Sequence, residues 1–358
     1  MATSEDGPSI VVLIPTLQNA DELAIVLDAL SIQSWKGPLK VIAVGPRGDS
    51  AQRIVEQRGM RWIDDEGSRN RADACNVALR HISCDIVLLT DDDVVPPPDW
   101  ITKMVRWFDR PAVAGVGGPN FAPDGSSWAA RVIDVTFCSR WVTAGTRYGK
   151  VPTGELVEIS HNPGCNTAYR KSVLDEVGGF ENGCIGAEDV VLDHRIRNAG
   201  HKLWFDPQSV MPHRRRVAGA FRRQMTNYGY VRTLANSRFP QLRSWSHVAI
   251  GFFPPLVLLV LASLMAAAVA EAMGAFILPW ALLPVGIVGT YLLMCWAGAA
   301  FSASPHRSFS TVLFAPIGIF GAHLHYGHGV LKGLLQIYLG EGAAAGLGLQ
   351  LDDKQRAD

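Results

Sequence analysis

The sequence predicts an α/β chain in which a doubly wound, mostly parallel sheet is followed by C-terminal membrane helices. Three observations predict it. Short apolar runs alternate with segments of helical periodicity through the first third of the chain. One of those runs ends in the acidic triplet Thr90-Asp91-Asp92-Asp93, where open α/β sheets bind ligands. Finally, from Val248 to Pro305 the only charged side chain is Glu271.

In chain order, residues 10–14 read as a strand that ends at Pro15. Leu23, Val26, Leu27 and Leu30 recur at helical spacing within 21–33. A strand over 39–44, a helix over 50–58 and a short strand over Arg61–Asp64 follow. Residues 72–81 form a helix with Ala74, Val77 and Ala78 facing inward, which feeds the apolar strand 85–89. Residues 100–108 read as a helix, after which the pattern loosens into glycine-rich loops and shorter elements up to Pro212. Glu188-Asp189 opens the amphipathic stretch 190–198. No internal repeat or low-complexity segment is evident.

At 358 residues the chain is long enough for about two units. Its formal net charge of zero gives no global argument for a nucleic-acid partner. Cys75, Cys84, Cys138, Cys165, Cys184 and Cys295 are scattered with no CxxC pair, which fits reduced thiols better than disulfides or a zinc site. Residues 1–9 are polar and acidic, without the basic start and apolar core of a signal peptide.

Residues 248–270 and 275–301 are each long enough to cross a hydrocarbon core, which takes roughly 20 helical residues. A third run, 309–331, has no formal charge but carries His323, His325, His328 and several glycines, and leaves spanning, re-entrant and interfacial readings open. His325 and His328 are read as polar residues of an interfacial helix rather than a metal site. Arg214, Arg215, Arg216, Arg222, Arg223, Arg232, Arg238 and Arg243 crowd the approach to the first run, and the turn near Glu271 has no Lys or Arg. The positive-inside rule then puts residues 1–245 in the cytoplasm. The expected division is a cytosolic catalytic domain over 1–245, a cell-membrane domain of two to three helices over 246–340, and a polar tail over 341–358.

The acids carry the chemistry. Two aspartates one residue apart suit a hard divalent cation, which takes oxygen ligands and leaves positions for substrate phosphates. Glu188-Asp189 adds a spare carboxylate able to act as a base, although acids at that place also suit a helix N-terminus. Together they suggest sugar transfer from a nucleotide donor.

These residues resemble an inverting family 2 glycosyltransferase with a GT-A-type fold, of the membrane-anchored kind related to polysaccharide and lipid-linked glycan synthesis. The resemblance covers most of residues 9–240. It is carried by Val12-Leu13-Ile14-Pro15-Thr16 with Asn19 and Glu22, by Arg71 with Asn76, and by Leu89-Thr90-Asp91-Asp92-Asp93 with Pro97. It continues in Gly164-Cys165-Asn166-Thr167-Ala168, Gly178-Gly179-Phe180, Glu188-Asp189 with Gly200, and Arg223-Gln224 with Tyr228-Gly229.

The resemblance implies Mg²⁺ or Mn²⁺ held by Asp93 with Asp91, and His213 as a further metal or phosphate contact. It implies donor binding by Pro15, Thr16, Glu22, Arg71, Asp91 and Asp92, with Arg223 or Gln224 closing over the diphosphate. Asp189 is the implied base, with Glu188 and Asn166 shaping the acceptor pocket. The basic tract from His213 to Arg223 also fits a cytosolic anchor for anionic lipid headgroups.

One place departs from the family pattern. An aspartate after the second strand usually contacts the donor base, and here that stretch reads Val44-Gly45-Pro46-Arg47-Gly48-Asp49. The expected partners are a nucleotide-sugar donor, a lipid-linked or glycan acceptor, and membrane lipid. Two or three helices are few for a polymer channel, so a processive synthase is disfavoured. The alternatives are a metal-dependent nucleotidyltransferase and a catalytically degenerate membrane partner.

Overall fold

The computed structural model describes residues 7–68, 70–143, 155–274 and 278–346. The chain divides into two compact units. The first holds residues up to 126 and the segment ending at Arg214; the second holds the segment beginning at Ser127 and the chain from Arg215.

The first unit is built on β1 (Ile10–Pro15), α1 (Ala20–Ser31), β2 (Leu39–Gly45), α2 (Ser50–Gln57), β3 (Arg61–Asp64), α3 (Arg71–Arg80) and β4 (Ile86–Thr90). β1 pairs in parallel with both β2 and β4, and β2 with β3. β1 and β4 are almost entirely buried, as uninterrupted Val, Ile and Leu runs demand when helices cover both faces of a sheet. Leu23, Val26, Leu27 and Leu30 of α1 are buried, on the helical spacing the sequence displays.

The expected single helix over 100–108 is α4 (Trp100–Val105) followed by a 3₁₀ turn over Arg106–Asp109. Then come β5 (Val113–Gly117) and β6 (Asn120–Phe121), with α5 (Trp128–Phe137) and α6 (Arg140–Thr143) belonging to the second unit. The first unit resumes with β7 (Val157–Ile159), β8 (Asn166–Arg170), α7 (Lys171–Glu176), α8 (Glu188–Asn198), β9 (Lys202–Phe205) and β10 (Met211–Pro212).

The main sheet runs β3-β2-β1-β4-β8-β5-β9-β7. β8 lies antiparallel between β4 and β5, so the sheet is mixed and mostly parallel. The strand order reverses between β1 and β4, where an open sheet leaves its ligand crevice. β10 pairs with β6, and an isolated bridge from Val94 to His213 brings the chain after β10 back to the end of the acidic triplet.

Asn76 on α3 ties a distant turn to this sheet. Its Nδ2 donates to Phe180 O (2.9 Å) and Asn182 Oδ1 (2.8 Å), and its Oδ1 accepts from Phe180 N (2.8 Å). Gly179 adopts φ +70°, and a Cβ there would sit 2.5 Å from Asn76 Oδ1. The glycine therefore serves both the turn and the close approach. Asn76→Ala leaves the buried Phe180 N–H unpaired and is expected to cost about 1–3 kcal/mol, read as a lower midpoint in denaturant unfolding of the full chain.

The second unit continues with α9 (Ala218–Arg238), α10 (Trp245–Gly251), α11 (Phe253–Ala272), α12 (Leu278–Ala300) and α13 (Phe309–Gly346). α9 and α13 approach at backbone range: a Cβ on Gly229 would lie 2.0 Å from Tyr326 O, and one on Gly329 2.0 Å from Thr226 O. Small residues permit that approach. Among the described residues two helical stretches, Trp245–Ala272 and Leu282–Ala300, are long and apolar enough to cross a membrane. Only 11% and 22% of their apolar windows are buried within the protein, unlike core helices of a soluble fold. α13 carries the third apolar run and is not among these two. Of the expected 341–358 tail, residues beyond 346 lie outside the described residues, as do 1–6 of the N-terminal segment and 275–277 of the second apolar run.

Candidate active site

The acidic triplet leaves β4 at the sheet's switch point. Thr90, fully buried, anchors the strand end by donating to Cys165 O (2.9 Å). Asp92 turns back toward β1 and accepts from Thr16 Oγ1 (2.5 Å). Burial pushes the Asp92 carboxyl up to about 6, against hydrogen bonds from Thr16 and Asn19 and together with the charges of Asp93 and Asp91.

Asp91 and Asp93 point elsewhere, and with His213 they form a cluster whose candidate ligand atoms all lie within 4.8 Å of one another. His213 Nε2 is 3.1 Å from Asp93 Oδ1. The Val94 bridge and the bond from His213 N to Phe121 O (2.8 Å) set that position. Burial opposes charge on His213, yet its interactions with Asp93 and Cys165 prevail and raise it well above the ordinary histidine value. The donor set of two carboxylates and one imidazole fits a divalent cation, which would take over neutralisation of Asp93 and leave the imidazole neutral.

Arg71, at the start of α3, joins the two acidic motifs. Its Nη2 donates to Asp91 Oδ1 (2.7 Å) and to Gly164 O (3.1 Å), and its Nη1 donates to Glu188 Oε1 (3.1 Å). Glu188 is buried; burial raises its carboxyl, the Arg71 charge opposes, and the neighbouring Asp189 charge adds to the rise. Asp189 occupies the first turn of α8, preceded by Ala187 in the left-handed region at φ +57°. Asp189 Oδ2 accepts from Gly164 N (3.2 Å) and Oδ1 from Val190 N (2.8 Å).

Gly164 is required here by proximity, since a Cβ would fall 2.7 Å from Arg71 Nη1 and 3.2 Å from Asp189 Oδ2. The one contact below 3 Å is with the movable end of Arg71, and those with Asp189 Oδ2 and Cβ (3.3 Å) are tight but not clashing, so Gly164→Ala is expected to fold while displacing the guanidinium and the carboxylate. An intact melting midpoint with turnover lowered about 10-fold or more is the expected result, because small misplacements at a reacting site cost rate steeply.

The structure thus brings together Thr16, Arg71, Asp91, Asp92, Asp93, Glu188, Asp189 and His213 in the first unit. Pro15 is half-buried at the end of β1, and Glu22 on α1 is ion-paired with Arg214. Asn166 is fully buried, its amide donating to Pro119 O (3.0 Å) and Ser209 O (2.7 Å) and accepting from Trp100 Nε1 (2.8 Å). Those bonds hold β8 in place and leave the side chain away from solvent. Arg223 and Gln224 belong to the second unit, Arg223 exposed and Gln224 donating to Tyr228 Oη (3.1 Å).

In the departing loop, Asp49 accepts from Ala51 N (2.8 Å) as the N-cap of α2 and from Gln18 N (2.7 Å). Arg47 pairs with Asp64 (2.8 Å) and is 86% exposed. Sequence reasoning missed His161 and Asp193, which lie beside Asp189. The available signal was the i, i+4 spacing of Asp189 and Asp193.

Comparison with known proteins agrees with this architecture. Residues 8–239 match the family described as "Glycosyltransferase like family 2". The chain belongs to that family. It is 24% identical over 209 residues to the O-antigen chain rhamnosyltransferase RfbN of Salmonella typhimurium, covering 57% of this chain and 66% of that protein. It is 27% identical over 220 residues to the pre-mycofactocin glycosyltransferase of Mycobacterium tuberculosis, covering 59% and 44%. The chain thus spans 66% or less of these curated relatives.

In fold it is similar to the mannosyltransferase PcManGT of Pyrobaculum calidifontis, solved with GDP-Man and Mn²⁺. That likeness has a TM-score of 0.55 and 21% identity, and covers 91% of this chain and 87% of the other.

Proposed function

We propose that this chain is a membrane-anchored, metal-dependent inverting glycosyltransferase that moves a sugar from a nucleotide-sugar donor to a lipid-linked acceptor at the cytosolic membrane face. The observation that carries the reading is the joining of two acidic motifs by Arg71. A candidate cation-binding set, Asp91, Asp93 and His213, stands at the mouth of the sheet, and the carboxylate of Asp189 stands in the same unit. Family membership supports the reaction class.

A divalent cation bound by Asp91, Asp93 and His213 would offset the negative charge of a leaving nucleoside diphosphate. The donor set fits Mn²⁺ and Mg²⁺, the imidazole favouring Mn²⁺. Thr16 fixes Asp92 and so sets the turn that aims Asp91 and Asp93. Arg71 holds Asp91 and Glu188 in register and keeps the acidic cluster from repelling itself apart. Asp189 removes the proton of the acceptor hydroxyl as that oxygen attacks the anomeric carbon. Attack from the face opposite the diphosphate inverts the configuration.

Two exposed apolar helices support membrane anchoring and hence a lipid-linked acceptor. In this reading residues 1–245 face the cytoplasm, and the arginines before α11 meet anionic headgroups. A cysteine at position 272, with the native thiols replaced, is expected to react with an impermeant reagent in intact cells. Reaction only after permeabilisation contradicts the hairpin.

The test of the function is transfer itself. Purified full chain is incubated with radiolabelled sugar nucleotides, Mn²⁺ and a polyprenyl-diphosphate-linked sugar, and the expected product is a labelled, organic-extractable lipid with inverted anomeric configuration. Absence of glycolipid here, together with release of inorganic diphosphate when a nucleoside triphosphate and a sugar 1-phosphate are supplied instead, would point to nucleotidyl transfer.

A further inference from the structure

Asp189 is backed by a second acid and an imidazole. Asp189 and Asp193 stand four residues apart on α8, so both carboxylates lie on one face a helical turn apart. His161, in the link between β7 and β8, bridges them: Nδ1 is 2.9 Å from Asp193 Oδ2, and Nε2 is 3.7 Å from Asp189 Oδ2. The His161 side chain is 12% exposed and that of Asp193 is fully buried.

Asp193 is held by three partners. Besides His161, Asn162 N donates to Oδ2 (2.7 Å) and Tyr169 Oη to Oδ1 (2.6 Å). Burial pushes the Asp193 carboxyl upward, and the bonds from His161, Tyr169 and Asn162 oppose that rise. A carboxylate so placed accepts from Nδ1–H, which leaves the Nε2 lone pair directed at Asp189. Among the described residues the titratable groups facing the ring are Asp189 and Asp193 from α8, with Tyr169 of β8 behind Asp193. Arg71 of α3 reaches the same link through Gly164 O.

We propose that His161, anchored by Asp193, is a positioning residue for Asp189 that receives from it the proton of the acceptor hydroxyl. The inference rests on Asp189 as base. As the acceptor O–H bond breaks, the oxygen forms its bond to the anomeric carbon, and the electron pair of the donor's glycosidic bond leaves with the nucleoside diphosphate. The proton goes to Asp189 Oδ2 and then to His161 Nε2, restoring the carboxylate. The resulting imidazolium sits between two carboxylates and returns its proton to solvent after product leaves.

The 3.7 Å gap suits this order. A carboxylate and a lone pair repel, whereas a protonated Asp189 donates to Nε2 after closing about 0.7 Å. An imidazole nitrogen is intrinsically a stronger base than a carboxylate oxygen, which gives the transfer its direction.

The experiment compares wild type, His161→Gln and Asp189→Asn as full chains, with the sugar nucleotide and the polyprenyl-diphosphate-linked sugar, whose free hydroxyl is the acceptor, that support wild-type transfer. His161→Gln is expected to keep the donor KM and melting midpoint, to lose turnover by about 10–100-fold, and to move the acid limb of the pH–turnover profile to lower pH. Imidazole ¹⁵N NMR of the wild-type chain, which needs neither substrate nor variant, should show His161 protonated on Nδ1. An inactive Asp189→Asn beside a His161→Gln of unchanged turnover and profile would overturn the relay alone. An active Asp189→Asn overturns the base assignment and the relay with it. Should His161→Gln fail to fold, protonation on Nε2 in wild type is the result that refutes the relay.

Discussion

Asp189→Asn is expected to bind the sugar nucleotide as wild type does and to lose turnover by about 10²–10⁴-fold, the usual contribution of a positioned general base. The amide oxygen can still accept from Val190 N or Gly164 N, so α8 should keep its first turn and its link to the β7–β8 segment. What the amide cannot do is take the acceptor's proton. The loss should therefore fall on turnover rather than on donor affinity, with slow hydrolysis of the donor persisting because the cation set is untouched. Glu188→Gln is the companion measurement. Glu188 Oε1 is engaged by Arg71, so its amide variant should weaken the Arg71 brace and cost less than the loss of Asp189. Full turnover in Asp189→Asn together with a dead Glu188→Gln reverses the two roles.

Asp93→Ala is expected to reduce transfer by at least about 10²–10³-fold, the scale of losing one stabilising contact to a developing anion. It should also abolish the stabilisation that donor and cation confer together. Asp93 is the residue that holds His213 at 3.1 Å, so the alanine removes one ligand and releases a second. The fold should survive, because the core beneath is the buried apolar surface of β1 and β4, and a half-buried acid at a strand end contributes little to it. Normal transfer by this variant would exclude the triplet as the cation site.

Much of this site is legible in the sequence because its parts sit where α/β patterning puts functional residues. The uniformly apolar run before Thr90 announces a doubly covered strand, and acids just past it must lie at the crevice. Glu188-Asp189 is recognisable as the opening of an amphipathic helix. Other parts depend on pairings that local patterns do not encode.

Nothing in the residues 166–170 says that β8 inserts antiparallel beside β4, yet that insertion brings Gly164 against Arg71 and Asp189. Asn166 reads like a pocket residue but is consumed by Trp100, Pro119 and Ser209 within the fold. His161 lies in a short connector with no periodicity, and its relation to Asp193 exists only once α8 packs against that connector. The 100–108 segment shows the same limit at smaller scale. Its apolar spacing gives a helix, but the chain tightens into a 3₁₀ turn at Arg106, where Arg106 and Trp107 both donate to the buried Asp206 (2.9 Å each).

The crevice is expected to bind a nucleotide sugar through a divalent cation held by the triplet. Thermal unfolding of the purified full chain with a panel of GDP-, UDP- and dTDP-sugars tests it most directly, with Mn²⁺, with Mg²⁺ and with excess chelator. At least one donor is expected to raise the midpoint only when the cation is present, and Asp93→Ala should erase that rise while keeping its own midpoint near that of wild type. A donor shift that persists in chelator and in Asp93→Ala, or no shift with any sugar nucleotide, would contradict the account.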